Sequence, residues 1–474
     1  MLTYNLDSNH TLPAYEYIYK CIKEDIINGI LPPHYHLPSK RSFAKNLGVS
    51  IITVQNGYEQ LLYEGYIYSI EKRGYFVSEI TDIIRSVSSS DTDSNMMQSS
   101  DLSVSSKSNA LLMDFTKNHD ISDRFPFSIW AKLTRRTLLD NEDDITKRTD
   151  NIGLFRLRCA IANHLKDFRG LSVNPANIVI GAGTEYLYSL TVQLLGRSRM
   201  MAVEDPGHTK IHKIYEANGI KVLHVPVDSE GVISENLQHG NISAVHLSPT
   251  HHYPTGVITS AKRRHKILTL AEKHDFYVIE DDYDSEFHYE GRPIPAMAEL
   301  NRDRVIYMNT FSKSLMESLR IAYMVLPDRL MKRFNEKLSF YSTTVSGLEQ
   351  YILSSFISEG YFERHINRTR LHYKKCRNLF LDCFKSSELS KIASIEENGA
   401  GLHFIIKINQ SINDAKYLNR LLDLGISVKS VNSYSYHLDK EMENCYIINY
   451  FNVQTNELIN AFNIMATLAC ELGK

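Results

Sequence analysis

The stretch Ser86–Asn109 limits the architecture more than any other part of the chain. Eleven of its 24 residues are serine, none is aromatic, and its branched aliphatics Val87, Leu102 and Val104 are sparse. Such a segment buries too little apolar surface to offset the entropy lost on ordering, so it reads as a flexible linker. The 474 residues are therefore expected to fold as two separate units. Their bounds are set at 1–80 for the first, 81–111 for the linker and 112–474 for the second, whose smaller subdomain begins at about residue 335. No apolar run approaches the ~20 residues of a membrane span, and Met1-Leu2-Thr3-Tyr4 opens no secretory signal. A soluble, cytoplasmic protein with no membrane partner is expected. The six cysteines form no Cys-x-x-Cys pair and no Cys/His cluster at zinc spacing, which points to reduced thiols and no metal.

Formal charge nearly cancels, with 53 Lys and Arg against 55 Asp and Glu, which argues against a surface that coats nucleic acid along its full extent. A local patch is compatible with that sum. In residues 1–80, Ala14–Asn28 carries Ile18, Cys21, Ile22 and Ile26 at helical spacing and stops at Gly29. Ser39 after Pro38 caps a second helix that ends at Gly48, and Ser50 caps a third with Val54, Tyr58, Leu61 and Leu62 on its apolar face. Helix, short turn and helix make a helix-turn-helix. Ile51, Ile52, Thr53, Gln55 and Asn56 then lie at the exposed start of the third helix, where side chains reach base edges in a major groove. Tyr66–Ile70 and Tyr75–Val77 read as strands around Lys72-Arg73-Gly74, a wing. From Gly29 to Tyr58 the only charged residues are basic: Lys40, Arg41 and Lys45. With Ser39, Lys72 and Arg73 these are candidate phosphate contacts, while Thr53, Gln55 and Asn56 are candidates for base readout.

The segments Leu31-Pro32-Pro33, Leu37-Pro38-Ser39-Lys40-Arg41, Leu47-Gly48-Val49-Ser50, Glu64-Gly65-Tyr66 and Gly74-Tyr75-Phe76-Val77 closely resemble the GntR-type winged helix. Double-stranded operator DNA is the partner this resemblance implies. Two departures stand out. His34 occupies a usual glycine position, and Ile51 stands where an Arg usually follows the Ser, which removes one expected DNA contact.

Beyond the linker, short β-branched runs alternate with helical stretches, the pattern of a parallel sheet covered by helices. Thr310-Phe311-Ser312-Lys313 follows the apolar strand Val305–Met308, which places Lys313 at a strand's carboxyl end, where such sheets hold ligands. Phe276–Ile279 runs into the carboxylates Glu280, Asp281, Asp282, Asp284 and Glu286. Gly181-Ala182-Gly183-Thr184-Glu185 lies between a strand and a helix, where amides cradle a phosphate. Each segment alone has a bland reading: a surface lysine, a solvated acidic turn, an ordinary glycine turn. In this order and spacing they resemble fold type I aminotransferases over residues 112–474, so the expected architecture is α/β: a winged helix followed by a mostly parallel large domain and a smaller α+β subdomain.

That resemblance implies pyridoxal 5'-phosphate as cofactor. It makes Lys313 the Schiff-base lysine, Asp281 the acid on the pyridine nitrogen, with Asp282 an alternative one residue on, and Tyr283 the partner of the ring oxygen. Gly183, Thr184, Thr310, Ser312 and Arg320 become phosphate binders, and His208 takes the place of the aromatic residue that stacks on the ring. A winged helix, a linker and an aminotransferase-like domain in one chain look like the MocR family of bacterial transcription regulators. The resemblance implies a head-to-tail homodimer, and a regulator without a completed transamination cycle. A working aminotransferase with an accessory DNA-binding domain is the alternative, and a dimerisation scaffold with an empty pocket is a third reading.

From Glu441 to Gly473 the chain has neither Arg nor Lys, although aminotransferases clamp a substrate carboxylate with an Arg near the C-terminal strand. Lys210 and Arg136 are candidate replacements. Pyridoxal phosphate itself, rather than an amino acid or amine, is then a candidate signal, as in the branch of the family that controls vitamin B6 synthesis.

Overall fold

A computed structural model describes residues 4, 13–70, 73–79, 111–117, 124–238, 241–288, 295–396, 401–437, 442–450 and 453–473. The linker, save residue 111, and Lys72 lie outside the described residues. The chain separates into two compact units, Met1–Ser106 and Lys107–Lys474.

The first unit holds α1 (Ala14–Ile27), α2 (Lys40–Leu47), α3 (Ile51–Tyr63), β1 (Ile67–Ile70) and β2 (Gly74–Val77). Ser39 and Ser50 each cap a helix by accepting the backbone N–H three residues on, at 3.2 and 3.1 Å. Gly48, at φ +67, ends α2 in the left-handed conformation that a Cβ disfavours. Val54, Tyr58 and Leu61 of α3 are buried against a core that includes Ile18 and Ile22 of α1. At Gly57 the two helices approach so closely that a Cβ would lie 3.2 Å from the Tyr15 carbonyl. The strands β1 and β2 pair antiparallel, Ile67 opposite Val77 and Ile70 opposite Gly74. His34, the residue in a usual glycine position, takes φ +66, so this chain places a side chain in glycine's conformational region.

The strands of the large unit are β3 (Met113–Asp114), β4 (Ile178–Gly181), β5 (Met200–Asp205), β6 (Val222–Asp228), β7 (Gly231–Val232), β8 (Ile242–Leu247), β9 (Tyr277–Asp281), β10 (Val305–Thr310), β11 (Ala322–Val325), β12 (Ala393–Glu396), β13 (His403–Ile408), β14 (Ile426–Ser427), β15 (Lys429–Ser430) and β16 (Cys445–Asn449). Eight form one sheet in the order β4-β11-β10-β9-β8-β5-β6-β7, in which only β11 and β7 run against the rest. Side chains alternate across it, as the strand period requires. Val278, Val305 and Tyr307 join a cluster with Leu157, Ile161, Ile352 and Phe356 on one face. Ile279, Ile306 and Met308 join Leu187, Tyr188 and Leu190 on the other.

A second, antiparallel sheet, β12-β13-β16-β15, packs with the helices Tyr361–Ser386 and Thr455–Leu472 through Phe380, Phe404, Ile406, Ile448 and Phe462. This core also takes in Met113 and Phe115, because β3 pairs in parallel with β14. The helix Gly347–Ser358 instead contributes Ile352, Leu353 and Phe356 to the core of the large sheet. The smaller lobe is thus assembled from both ends of this unit rather than from one contiguous stretch. Among the described residues no helix is long and apolar enough to cross a membrane.

Candidate functional site

Six strands of the large sheet run in one direction, so the segments leaving β4, β5, β8, β9 and β10 emerge on one side. There a cavity of about 400 Å³ opens. Thr184, His208, Asp281, Tyr283, Thr310, Ser312, Lys313 and Arg320 all line it. Arg320 arrives by a different route. It precedes β11, which runs backwards, so the start of that strand lies beside the carboxyl end of its neighbours, Ala322 opposite both Gly181 and Thr310. Arg320 adopts a left-handed φ of +49, and a Cβ at Gly183 would stand 2.6 Å from its Nη2. Glycine at 183 is what lets the guanidinium lie against this turn.

The two adjacent carboxylates separate cleanly. Asp281 shares the face of Ile279: one of its oxygens accepts the Tyr188 hydroxyl and lies 3.4 Å from His246 Nε2. Asp282 points to the opposite face, where Arg169 Nε lies 3.0 Å away and the Tyr307 hydroxyl donates at 2.6 Å. Asp281 therefore lines the cavity, and Asp282 belongs to a buried ion pair behind it. Tyr188, Tyr215 and His246 support Asp281 as a relay. Burial raises both tyrosine hydroxyls well above their ordinary pKa, so they stay protonated and donate. The Tyr215 hydroxyl lies 2.6 Å from His246 Nδ1, and Nε2 of the same ring faces Asp281. The isolated sequence marked neither Tyr188 nor His246. The available signals were Tyr188 one helical turn beyond Thr184, and a histidine within the fully buried strand β8.

Glu185 pairs with both Arg320 and Lys210. Those pairs, the Lys210 hydrogen bond first, hold its carboxyl below the ordinary range against the effect of burial. The Tyr283 hydroxyl donates to the His251 carbonyl at 3.2 Å. His208 caps the helix Thr209–Ala217 and meets the Tyr253 ring at 5.8 Å, and burial lowers its pKa, favouring a neutral imidazole. Glu204, in the cavity wall, is pushed up to about 8 by desolvation. Of the candidate carboxylate clamps, Lys210 lines the cavity while Arg136 pairs with Glu359 instead. Lys429 also lines it, opposite Ile447 in the β15–β16 register. Sequence spacing concealed Lys429 because only the strand pairing brings it there.

In the first unit Ser39, Arg41, Asn56 and Arg73 are exposed, and Lys40 and Thr53 are half-buried, with Lys40 Nζ 5.6 Å from the Tyr75 ring centre. Gln55 donates to Glu59 at 2.7 Å. Neither α2 nor α3 carries an acidic residue in its first turn, which leaves the positive end of each helix dipole uncompensated.

Comparison with known proteins agrees on both units. Residues 14–77 match the gntR family of bacterial regulatory proteins, and residues 116–455 match aminotransferase class I and II. The HTH-type transcriptional regulator YdeL of Bacillus subtilis is 34% identical over 90% of this chain and 92% of its own length. The probable rhizopine catabolism regulatory protein MocR of Rhizobium meliloti is 29% identical over 91% and 89%, and the pyridoxine biosynthesis regulator PdxR of Corynebacterium glutamicum is 28% identical over 87% of each chain. A kynurenine aminotransferase from Pyrococcus horikoshii shares the fold of the large unit, with TM-score 0.67 and 24% identity over 77% of this chain and 92% of its own.

The cofactor of the class I and II aminotransferase family is pyridoxal 5'-phosphate, and the cavity's donor set fits it. Among the described residues Asp281 Oδ1 and Ser312 Oγ are buried without a hydrogen-bond partner, while Thr184 and Arg320 line the same space. Buried polar atoms are normally satisfied, so such orphans in a cavity mark where a polar ligand belongs. A gntR-type winged helix and an aminotransferase domain in one chain, shared along nearly its whole length with HTH-type regulators, place this protein in the MocR family of transcription regulators.

Proposed function

We propose that the large unit senses pyridoxal 5'-phosphate, alone or with an amino compound, and that this controls operator binding by the winged helix. The observation that carries the reading is Asp281. Tyr188 and His246 hold one of its oxygens, and the other has no partner among the described residues, in a cavity shared with Lys313 and Arg320. When bound, pyridoxal phosphate supplies a reactive carbonyl and an electron-withdrawing ring. In this reading Lys313 would hold that carbonyl through its amine and Asp281 would keep a proton on the ring nitrogen. Tyr283 would donate to the ring oxygen, and His208 would contact the ring. Thr184, Thr310, Ser312, Arg320 and the backbone at Gly183 would hold the phosphate, at the start of a helix whose dipole favours an anion. Arg320 would then share its guanidinium between Glu185 and that anion.

Regulation follows from linkage: a ligand that prefers one arrangement of a dimer shifts the population toward it, and with it the affinity for paired half-sites. A head-to-tail homodimer supplies the two winged helices. The names of PdxR and MocR support target genes in vitamin B6 or amine metabolism. A completed transamination cycle is not part of this reading, because β16 presents Ile447 and Asn449 to the cavity, neither of which clamps a carboxylate as a guanidinium does. Lys210 and Lys429 favour the second reading, a working aminotransferase, and multiple turnovers with any amino donor and keto acid would establish it.

The test is a titration of the full chain with pyridoxal phosphate, followed by visible absorbance and by binding to an operator recovered by selection. The parent protein should gain an absorbance band and change its DNA affinity. Lys313→Ala should lose both responses while keeping its cofactor-free DNA binding. A parent protein that stays colourless at saturating cofactor defeats the sensing reading.

A further inference from the structure

The start of α3 carries two large apolar side chains that the fold does not use. Ile51 is 46% exposed and Ile52 69% exposed, while Val54, Tyr58 and Leu61 of the same helix are fully buried. At 100° per residue, positions 51, 52, 55, 56 and 59 share the outer face and 54, 57, 58 and 61 the inner one. Neither isoleucine therefore packs against α1. Local preference does not call for them either, since β-branched residues are mediocre helix formers and Ser50 already provides the cap. What sets this exposed apolar pair apart from others on the surface is its position at the start of the second helix of a helix-turn-helix.

The ligand of this surface is DNA. Residues 14–77 match the gntR family, and in a helix-turn-helix the first residues of the second helix contact base edges in the major groove. The other outer-face groups read little by hydrogen bonding. Thr53 Oγ1 is 2.8 Å from Ser50 Oγ, and the Gln55 amide is held by Glu59, which leaves Asn56 as the one uncommitted amide among these positions. Within the major groove a single feature of the bases is apolar, the C5-methyl group of thymine.

We propose that Ile51 and Ile52 read thymine methyl groups, so that the operator of this protein carries thymines where the recognition helix enters the groove. A guanidinium at position 51 would read a guanine edge or a phosphate. Isoleucine there substitutes an apolar contact and moves the sequence preference toward A·T pairs at those steps. The proposal rests on the DNA-binding reading of the winged helix, and the experiment separates the two.

Full-length protein with pyridoxal phosphate selects duplexes from a random pool, and each thymine of the selected site is then replaced by deoxyuridine, which removes the methyl and leaves every hydrogen-bonding edge intact. Deoxyuridine at one or two positions of each half-site should weaken binding about fourfold per methyl, the value of one buried methyl-sized group. Ile52→Ala should bind the thymine and deoxyuridine forms of its position equally, with an unchanged melting temperature as the check on folding. The proposal is overturned if deoxyuridine has no effect at any position. It is equally overturned if Ile52→Ala weakens both forms alike, or if that variant changes the oligomeric state without DNA, which would make the pair a protein contact. A pool that yields no enriched sequence defeats the DNA-binding reading itself.

Discussion

In the winged helix, the candidate contact residues lie close together in sequence, Ser39 to Arg41, Ile51 to Asn56 and Arg73, and most are exposed. Around the cofactor cavity they come from positions as distant as Phe115 and Asn449, and many are buried. Exposed groups on one helix stay solvated until DNA arrives, so they need no partners inside the protein and a change there leaves the fold alone. The deepest cavity groups, Asp281 among them, lie in a poorly solvated interior where a charge must be matched, and one residue's step along a strand decides whether a carboxylate meets a ligand or an internal arginine.

The adjacent pair Asp281 and Asp282 tests that difference most severely. Asp282→Asn removes the carboxylate paired with the buried Arg169 guanidinium, and the loss should be about 3–5 kcal/mol of stability, read as a lower urea midpoint. Asp281→Asn should fold nearly as well and instead weaken pyridoxal phosphate binding by about 10- to 100-fold, the worth of a charged hydrogen bond. Equal behaviour of the two variants would break the assignment of faces. A smaller effect is expected at the DNA surface. Arg41→Gln should reduce operator affinity by about tenfold and the slope of log affinity against log salt by about one, with no change in melting temperature.

A separate effect concerns pH. Burial pushes Glu204 from its ordinary carboxylate value up to about 8, so the fold favours the protonated side chain. A raised acid stabilises fully below its unfolded value, near 4.5, and that contribution is lost as pH rises toward 8. Glu204→Gln keeps an oxygen for the Ser248 N–H, which now lies 3.0 Å from the carboxylate, and removes the titration. Its melting temperature should fall less than the parent's between about pH 5 and pH 8. A parallel fall in both proteins would show that Glu204 does not titrate in that range.

Much of the recognition helix was legible beforehand because its information is local. Ser39, Gly48 and Ser50 mark helix ends through hydrogen bonds to residues three or four away. The lysine loop and the glycine turn were legible for a similar reason, as each follows an apolar run that reads as a strand. The support of Asp281 was not, since Tyr188 lies 93 residues and His246 35 residues away and meets it only through sheet order. Lys429 and the part that Met113 and Phe115 play in the smaller lobe were hidden for the same cause.

Sequence by itself determined that there are two units, that the first is a winged helix whose charged residues from Gly29 to Tyr58 are all basic, and that the second carries a lysine, carboxylates and a glycine turn at strand ends. Each of these rests on entropy, capping or periodicity within a few residues. Tertiary structure decided that Asp281 and not Asp282 enters the cavity, because the strand pleat sends neighbours to opposite faces. It also decided that Arg320 reaches the glycine turn, because β11 runs against its neighbours and begins where they end.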